Sequence, residues 1–406
     1  MASEFTHQNK RRMKPVLWLC SWYPSRVHAT NGDFVERHAR AMSKLMPLVV
    51  LLIEKDEKLH SWRTKVERTE EFNLIVYRVY YGKSISIGLL EKAISFWRFR
   101  ILQKRFYRKL EEEHGVPALV HVHVAYKAGL LAMFLKKKSR LPYLLTEHWT
   151  GYAAESHPNI DTVGIGIRSV ITKIIQQAEI VLPVSEHLGK AMARLAGPIK
   201  YRVVPNAVDT NYFFYRPFQH GIFRFIHASY LNYQKNPQAI IEAASLLAGD
   251  GYKFELIFVG NASQELKDLA KAKDATGNYI FFKGEVEYTE VAHCMQQAHA
   301  LVMFSRFENL PCVVLEALCC GLPVISSRVG GMEEVINSSN GILVPPNDVQ
   351  ELTASMKTMI DKYPQFDREA IAKDACAKFN YSAVAQKYLS CYKEINPAIR
   401  ADDPVS

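Results

Sequence analysis

The sequence predicts an α/β protein of two Rossmann-like, doubly wound domains facing across a cleft, and three observations predict it. Short β-branched runs alternate with helix-length amphipathic segments, the rhythm of parallel strands covered by helices. That rhythm runs twice, once in each half of the chain. The chain also has 406 residues, more than one hydrophobic core comfortably serves.

In the first half, the runs at 16–20, 48–53, 74–79, 119–122, 143–146 and 180–184 read as strands. In the second half the runs at 225–228, 254–259, 279–282, 300–304, 323–326 and 341–344 do the same. Between them, the aromatic and proline-containing stretch 209–217 leaves the first pattern before the second opens. The chain therefore divides into units at 1–215 and 216–378, with a helical tail at 379–406. In such proteins ligands sit at the carboxyl ends of the strands, often in the cleft between units.

Composition narrows the class. Hydrophobic residues make up 48% and charged ones 23%, as in an ordinary globular protein. The longest strongly apolar stretch, 47–53, is far short of the ~20 residues of a membrane-spanning helix. The apolar run at 16–20 follows basic residues, but it reads as a first buried strand rather than a signal sequence. The twelve residues at the start are polar and read as unstructured. Seven cysteines are an odd number without metal-ligand spacing, and Cys319 and Cys320 are adjacent. They read as buried free thiols in a reducing cytosol. Residues 1–215 hold 33 Lys and Arg against 19 Asp and Glu, whereas the rest hold 18 against 22. A basic half suits an anionic substrate, an anionic membrane or nucleic acid. No zinc-finger spacing or RNA-binding sheet motif supports the last, so no nucleic-acid partner is expected.

The strongest chemical signal is Ser305-Arg-Phe-Glu308-Asn309-Leu310-Pro311-Cys-Val-Val-Leu-Glu316, followed by Gly321-Leu-Pro323. A strand precedes it, and a helix is expected to begin near Pro311, where proline at a first turn costs little. Glu308 then lies in the strand-to-helix loop and Glu316 about one turn into the helix. Amides at such an N-terminus suit a diphosphate. Glu316 is placed to accept from ribose hydroxyls, and Glu308 to meet hydroxyls of a sugar beyond the phosphates. The bland reading is a loop carboxylate and a capping carboxylate with no shared ligand. The strand, polar loop, proline and the Gly-Gly turn at 330–331 argue against it.

The block from Ser305 to Pro346 resembles the signature of retaining family-4 glycosyltransferases (glycosyl transferases group 1) of the GT-B fold, and the likeness runs from about Leu17 to Lys393. The resemblance implies an acceptor-binding first domain and a nucleotide-sugar-binding second domain. It maps the ribose-binding carboxylate onto Glu316 and the donor-sugar carboxylate onto Glu308, with the backbone of Asn309, Leu310 and Pro311 touching sugar hydroxyls and phosphate. A diphosphate-binding lysine falls on Lys235. An arginine that many members carry ahead of it is replaced here by Ser229 and Tyr230; Ser229 stands at the donor phosphates, and either Lys235 or the other domain must supply more charge. Trp22 to His38 resembles the first strand-to-helix loop, with Gly32 letting backbone approach the donor. Thr146-Glu147-His148 resembles the segment whose histidine lies near the donor sugar, so Lys235, Glu308 and His148 are the candidate catalytic set. Segments 183–186 and 205–209 look like cleft lining and hinge, and 379–389 like the terminal helix, with Ser382 as its cap.

His121 and His123 follow a strand and are expected to face the cleft, either as polar contacts or as structure. No third ligand accompanies them, and no metal is expected. The implied donor is a UDP- or GDP-sugar used without metal, and the implied acceptor a glycan or lipid-linked hydroxyl in cell-surface polysaccharide or glycolipid synthesis. A glycosidase is disfavoured, because its two carboxylates should flank a sugar. A non-catalytic GT-B subunit supporting a partner enzyme is the second reading, kept by the Ser229 and Tyr230 departure. From Lys92 to Lys109 there are seven basic residues and no acidic one, with apolar residues at 90, 94, 97 and 101. Such a helix either lies on an anionic bilayer, at the inner face of the cell membrane, or packs on its own domain.

Overall fold

Twelve apolar runs become strands because, away from the sheet edges, they lie between two layers of helices, where Val, Ile and Leu fill both faces. In this computed structural model, residues 13–60, 62–83, 88–217 and 221–400 are described; the polar start of the chain lies outside them. The first unit contains β1 (Val16–Cys20), α1 (Asp33–Ser43), β2 (Leu48–Lys55), β3 (Thr64–Glu71), β4 (Leu74–Tyr81) and α2 (Gly88–His114). It continues with β5 (Val120–His123), α3 (Ala128–Ser139), β6 (Tyr143–Glu147), α4 (Ile165–Gln177), β7 (Ile180–Pro183) and α5 (Glu186–Ala196). The second unit runs through β8 (Phe223–Ala228), α6 (Pro237–Gly249), β9 (Phe254–Val259), α7 (Gln264–Lys273), β10 (Ile280–Gly284) and α8 (Tyr288–Gln296). Then come β11 (Ala300–Met303), α9 (Cys312–Cys319), β12 (Val324–Ser327), β13 (Gly341–Val344), α10 (Val349–Lys362), α11 (Arg368–Phe379) and α12 (Tyr381–Ile395).

Among the described residues the first sheet has seven strands in the order β3-β4-β2-β1-β5-β6-β7, and the second six in the order β10-β9-β8-β11-β12-β13. All pairs are parallel except β3 with β4. The order reverses between β1 and β5 in one sheet and between β8 and β11 in the other. Loops leaving neighbouring strands there diverge, opening a crevice at their carboxyl ends. Both crevices contribute to the site described below.

β3 was not expected. Its sequence, Thr-Lys-Val-Glu-Arg-Thr-Glu-Glu, has no alternating apolar face, and almost every residue is exposed. It is an edge strand held by its hairpin to β4, and its charges suit an unpaired edge.

α12 packs against α1 and inserts two tyrosines among the side chains of the first unit. Tyr392 Oη accepts from Trp18 Nε1 at 3.1 Å and lies 2.6 Å from His121 Nδ1, while Tyr388 Oη lies 3.1 Å from His38 Nδ1. The cap of α12 is Asn380, whose side chain accepts from the Ala383 amide, and not Ser382. The capping residue needs extended backbone, which Asn380 has and Ser382, already inside the helix, does not. The chain crosses between the units twice, side by side: the Val208 amide donates to Phe379 O at 2.8 Å. All seven cysteines are unpaired, with Cys312 and Cys376 half-buried and the others buried. Among the described residues, no helix is long and apolar enough to cross a membrane.

Candidate active site

Lys235 and Glu308 arrive from the two loops that flank the β8/β11 reversal. The loop after β8 ends in a single helical turn, capped when Asn232 accepts from the Lys235 amide, and this turn presents the lysine inward. Lys235 Nζ lies 2.5 Å from Glu308 Oε1, and Gln234 Nε2 donates to Glu308 Oε2 at 3.2 Å. Glu308 is buried, so these two donors satisfy a carboxylate that would otherwise lack water.

Ser229, expected at the donor phosphates, is used differently. His227 Nδ1 donates to Val302 O at 2.8 Å, which leaves Nε2 to accept from the Ser229 hydroxyl at 2.7 Å. Ser229 Oγ in turn accepts from the Leu231 amide at 3.0 Å. The hydroxyl is thus spent on shaping the loop that carries Lys235. Burial lowers the His227 pKa to about 4, consistent with this neutral tautomer.

Glu316 sits in the second turn of α9, with Pro311 as N-cap and Cys312 as the first helical residue. It is buried, and burial raises its pKa above the usual carboxylate range against the pull of Arg37. Arg37 comes from α1, in the other unit. Its Nη1 donates to Glu316 Oε1 at 2.5 Å and to Tyr288 Oη at 2.8 Å, and its Nη2 pairs with Asp33 Oδ2 at 2.6 Å. Tyr288 Oη itself donates to Glu316 Oε1 at 2.9 Å.

His148 follows β6 and lies under Phe34, with ring centroids 4.4 Å apart. Burial lowers its pKa to about 3, and among the described residues no partner meets its Nε2. The turn that carries it is pinned by Glu147, whose carboxylate accepts from the amides of Ala125, His148 and Trp149 and from Tyr152 Oη, at 2.9 to 3.1 Å. The two loops meet across the cleft: Asn309 Nδ2 donates to His148 O at 2.8 Å, and Asn206 Nδ2 to Leu310 O at 2.7 Å.

Two glycines are there for close approach. Gly32 has φ 81°, and a Cβ on it would stand 2.6 Å from the Trp22 carbonyl carbon and the Tyr23 amide nitrogen. Gly330 has φ 57°, and a Cβ would collide with Glu308 O. The first shapes the turn into α1; the second lets the loop after β12 lie on the Glu308 loop.

His121 does not face the cleft: it is buried on β5, between Trp18 and the tyrosines of α12. His123, buried at the end of the same strand, lies between Trp18 and His148, its ring stacked 6.4 Å from that of His148. Strand register puts positions 121 and 123 on one face of the sheet, and α12 covers that face at His121. His121 uses both ring nitrogens, on Thr146 Oγ1 and Tyr392 Oη. Among the described residues, no three His, Cys, Asp or Glu side chains gather as a metal site.

Arg37, Tyr288, Glu147 and Glu334 also shape the site, beyond the residues expected there. Glu334 accepts from the amides of Glu186 and His187, capping α5 from the opposite unit. Arg37 had one available signal, its i+4 spacing from Asp33 on a helix that leaves the cleft loop. Tyr288 had none, being 251 residues away from the arginine it meets.

Comparisons with known proteins follow this layout. Residues 210–375 match the family model described as Glycosyl transferases group 1, and residues 59–212 the model described as Glycosyltransferase Family 4. The chain is 26% identical over 300 residues to a glycogen synthase of Mycobacterium tuberculosis, covering 71% of each. It is 23% identical over 398 residues to the putative teichuronic acid biosynthesis glycosyltransferase TuaC of Bacillus subtilis, covering 92% of this chain and 94% of that protein. Among solved structures, it superposes on sucrose-phosphate synthase from Thermosynechococcus elongatus with TM-score 0.78 at 17% identity, over 95% of this chain and 100% of that one. The Anabaena Alr3699/HepE structure in complex with UDP gives TM-score 0.67 at 16% identity, over 94% and 100%.

Proposed function

Since this chain belongs to the GT-B glycosyltransferases, with a family-4 half and a group 1 half, we propose that it moves a sugar from a UDP- or GDP-sugar to a hydroxyl acceptor with retention at the anomeric carbon. The observation that carries this reading is the meeting of Lys235 with Glu308 at the sheet reversal, on the loop that leads into α9, which carries Glu316 in its second turn. A cation, a sugar-facing carboxylate and a ribose-facing carboxylate then line up along a nucleotide sugar. The UDP-bound Anabaena structure, a GT-B neighbour, supports the choice of ligand class.

In the proposed reaction the bond from the anomeric carbon to the phosphate oxygen breaks, and its electron pair goes to the diphosphate. Lys235 stabilises the charge that develops there. The acceptor oxygen bonds to the same face of the short-lived oxocarbenium ion, and its proton passes to the departing phosphate. His148 is neutral at physiological pH, so it offers a hydrogen bond to the sugar and no charge. Glu308 leaves Lys235 for the sugar hydroxyls as the diphosphate takes its place. The reaction as proposed uses no metal.

The acceptor in this reading is a glycan or lipid-linked hydroxyl, met by a cytoplasmic enzyme at the inner face of the membrane in polysaccharide or glycolipid synthesis. The exposed face of α2 supports this. Trp97 is 68% exposed, Ile101 62% and Leu90 54%, alongside exposed Lys92, Lys104, Arg105, Arg108 and Lys109. Arg98 and Arg100 are the exceptions among the cations: Arg98 is turned inward to the carbonyls of Gly82 and Arg63, and Arg100 is half-buried and donates to Gln103 Oε1. Flotation with anionic vesicles at low and high salt tests the membrane; no binding in either removes it.

The donor test is a panel of nucleotide sugars, with product anomers read by NMR. Transfer with retention is expected. Inversion overturns the stereochemical reading, and binding without transfer or hydrolysis on any donor favours the non-catalytic subunit.

A further inference from the structure

We propose that Arg37 is a positioning residue that ties donor binding to cleft closure: from the first unit it holds Oε1 of Glu316, leaving Oε2 for the ribose diol. The inference rests on the ribose role of Glu316 given above.

The geometry divides the carboxylate. Both hydrogen bonds to Glu316, from Arg37 Nη1 and from Tyr288 Oη, fall on Oε1. A carboxylate has about four lone-pair sites on its two oxygens, so the pair on Oε2 suits two adjacent hydroxyls. The guanidinium is itself held in one plane. It lies over the Tyr288 ring, 4.9 Å from the centroid, and its second nitrogen is fixed by Asp33. A lysine at this position has neither the fork nor the stacking plane.

The partners belong to different units. Arg37 and Asp33 ride on α1, whereas Glu316 and Tyr288 ride on α9 and α8. When the units separate, each side keeps a partner: Arg37 retains Asp33 at i+4, and Glu316 retains Tyr288. Both also regain water. The contact between units is therefore a reversible one, in which desolvation of two charges offsets their attraction. A diol that binds only the oriented carboxylate adds its affinity to the closed arrangement alone, and that shifts the balance. The cross-cleft bonds of Asn309 to His148 O and of Asn206 to Leu310 O engage the adjoining loop, so closure also sets the Glu308 loop against the His148 turn.

The test uses the full chain and four nucleoside diphosphates, UDP, GDP, ADP and dTDP. Affinity is measured by calorimetry and compaction by the radius of gyration in X-ray scattering. The wild type should bind at least one of them and contract. Arg37→Met should bind it at least tenfold more weakly and not contract, with Arg37→Lys between the two. In steady state the donor KM should rise by a similar factor, and kcat should fall as well, because the open cleft keeps the Glu308 loop from the His148 turn. An Arg37→Met protein that binds and contracts like the wild type overturns the proposal. So does a wild type that binds without contracting, or Arg37→Met weakened with its contraction intact. If Arg37→Met does not fold, Arg37→Lys decides, and wild-type affinity with contraction again overturns it. Glu316→Ala separates the two failures. If it binds nucleotide like the wild type, or if no nucleotide binds the wild type, the ribose reading falls and this proposal with it. If it binds weakly while Arg37→Met is undiminished, only the role of Arg37 falls.

Discussion

Lys235 and Glu308 neutralise each other across the β8/β11 reversal, 2.5 Å apart and almost out of reach of water. A donor diphosphate must take the lysine from the carboxylate, so the ion pair holds the cation in position until the ligand arrives. Lys235→Ala removes that cation and leaves Glu308 buried with only Gln234. Transfer is expected to fall by about 10²–10³ in kcat, the range for loss of one charge-stabilising donor. Steady-state kinetics with the best donor, with and without EDTA, checks this and the metal-free chemistry together. EDTA should leave the wild-type rate unchanged.

His148 is buried, and its pKa is lowered to about 3. Replacing it with Gln keeps a hydrogen-bonding group in a different place and should lower kcat about tenfold, the worth of about one hydrogen bond. The pH profile of kcat/KM between pH 5 and 9 should keep its shape, because the wild-type imidazole does not titrate there. Loss of an ionisation near neutrality in the variant would refute the neutral role.

Stability should fall in mild acid. His38, His121, His123, His148 and His227 are all buried with pKa values below 6.5, chiefly through desolvation. Below pH 6.5 the unfolded chain takes up protons that the folded chain refuses. Their contribution is therefore complete above about pH 6.5 and is lost as pH falls toward about 4 for His227 and about 3 for His148. Each protonation that is missed weakens folding by roughly 1.4 kcal/mol per pH unit. Urea unfolding at pH 7.5, 6 and 5 reads the slope.

Tyr392→Phe removes the acceptor for Trp18 Nε1 and the partner of His121 Nδ1, both buried. Leaving those groups without a partner is expected to cost about 1–3 kcal/mol. The melting temperature should drop while donor affinity stays within twofold, since the tyrosine lies behind the sheet rather than in the cleft.

Much of this fold was legible because parallel strands buried on both faces are written as continuous apolar runs, with helix-length amphipathic segments between them. The missing strand, β3, carries no such run: Glu67, Arg68 and Glu70 are there because an edge faces water. In the site, Lys235, Glu308 and Glu316 were visible because they fall within thirty residues of a strand end and a proline-led helix. Arg37 and Tyr288 were not, because neither has meaning until the two units are brought together. His121 misled for the opposite reason: alternation puts it on one face with His123, but nothing local says that α12, more than 250 residues on, covers it there. Ser229 sits where expected, yet its hydroxyl is already engaged by His227 and Leu231.

The return of α12 to the first unit has a consequence for biosynthesis. Tyr388 and Tyr392 enter the layer around Trp18, His38 and His121, and they are translated only after the whole of the second unit. A ribosome must make the entire second unit before the unit it made first can close. A nascent chain arrested before residue 380 should therefore hold the second sheet assembled and the first still open to protease.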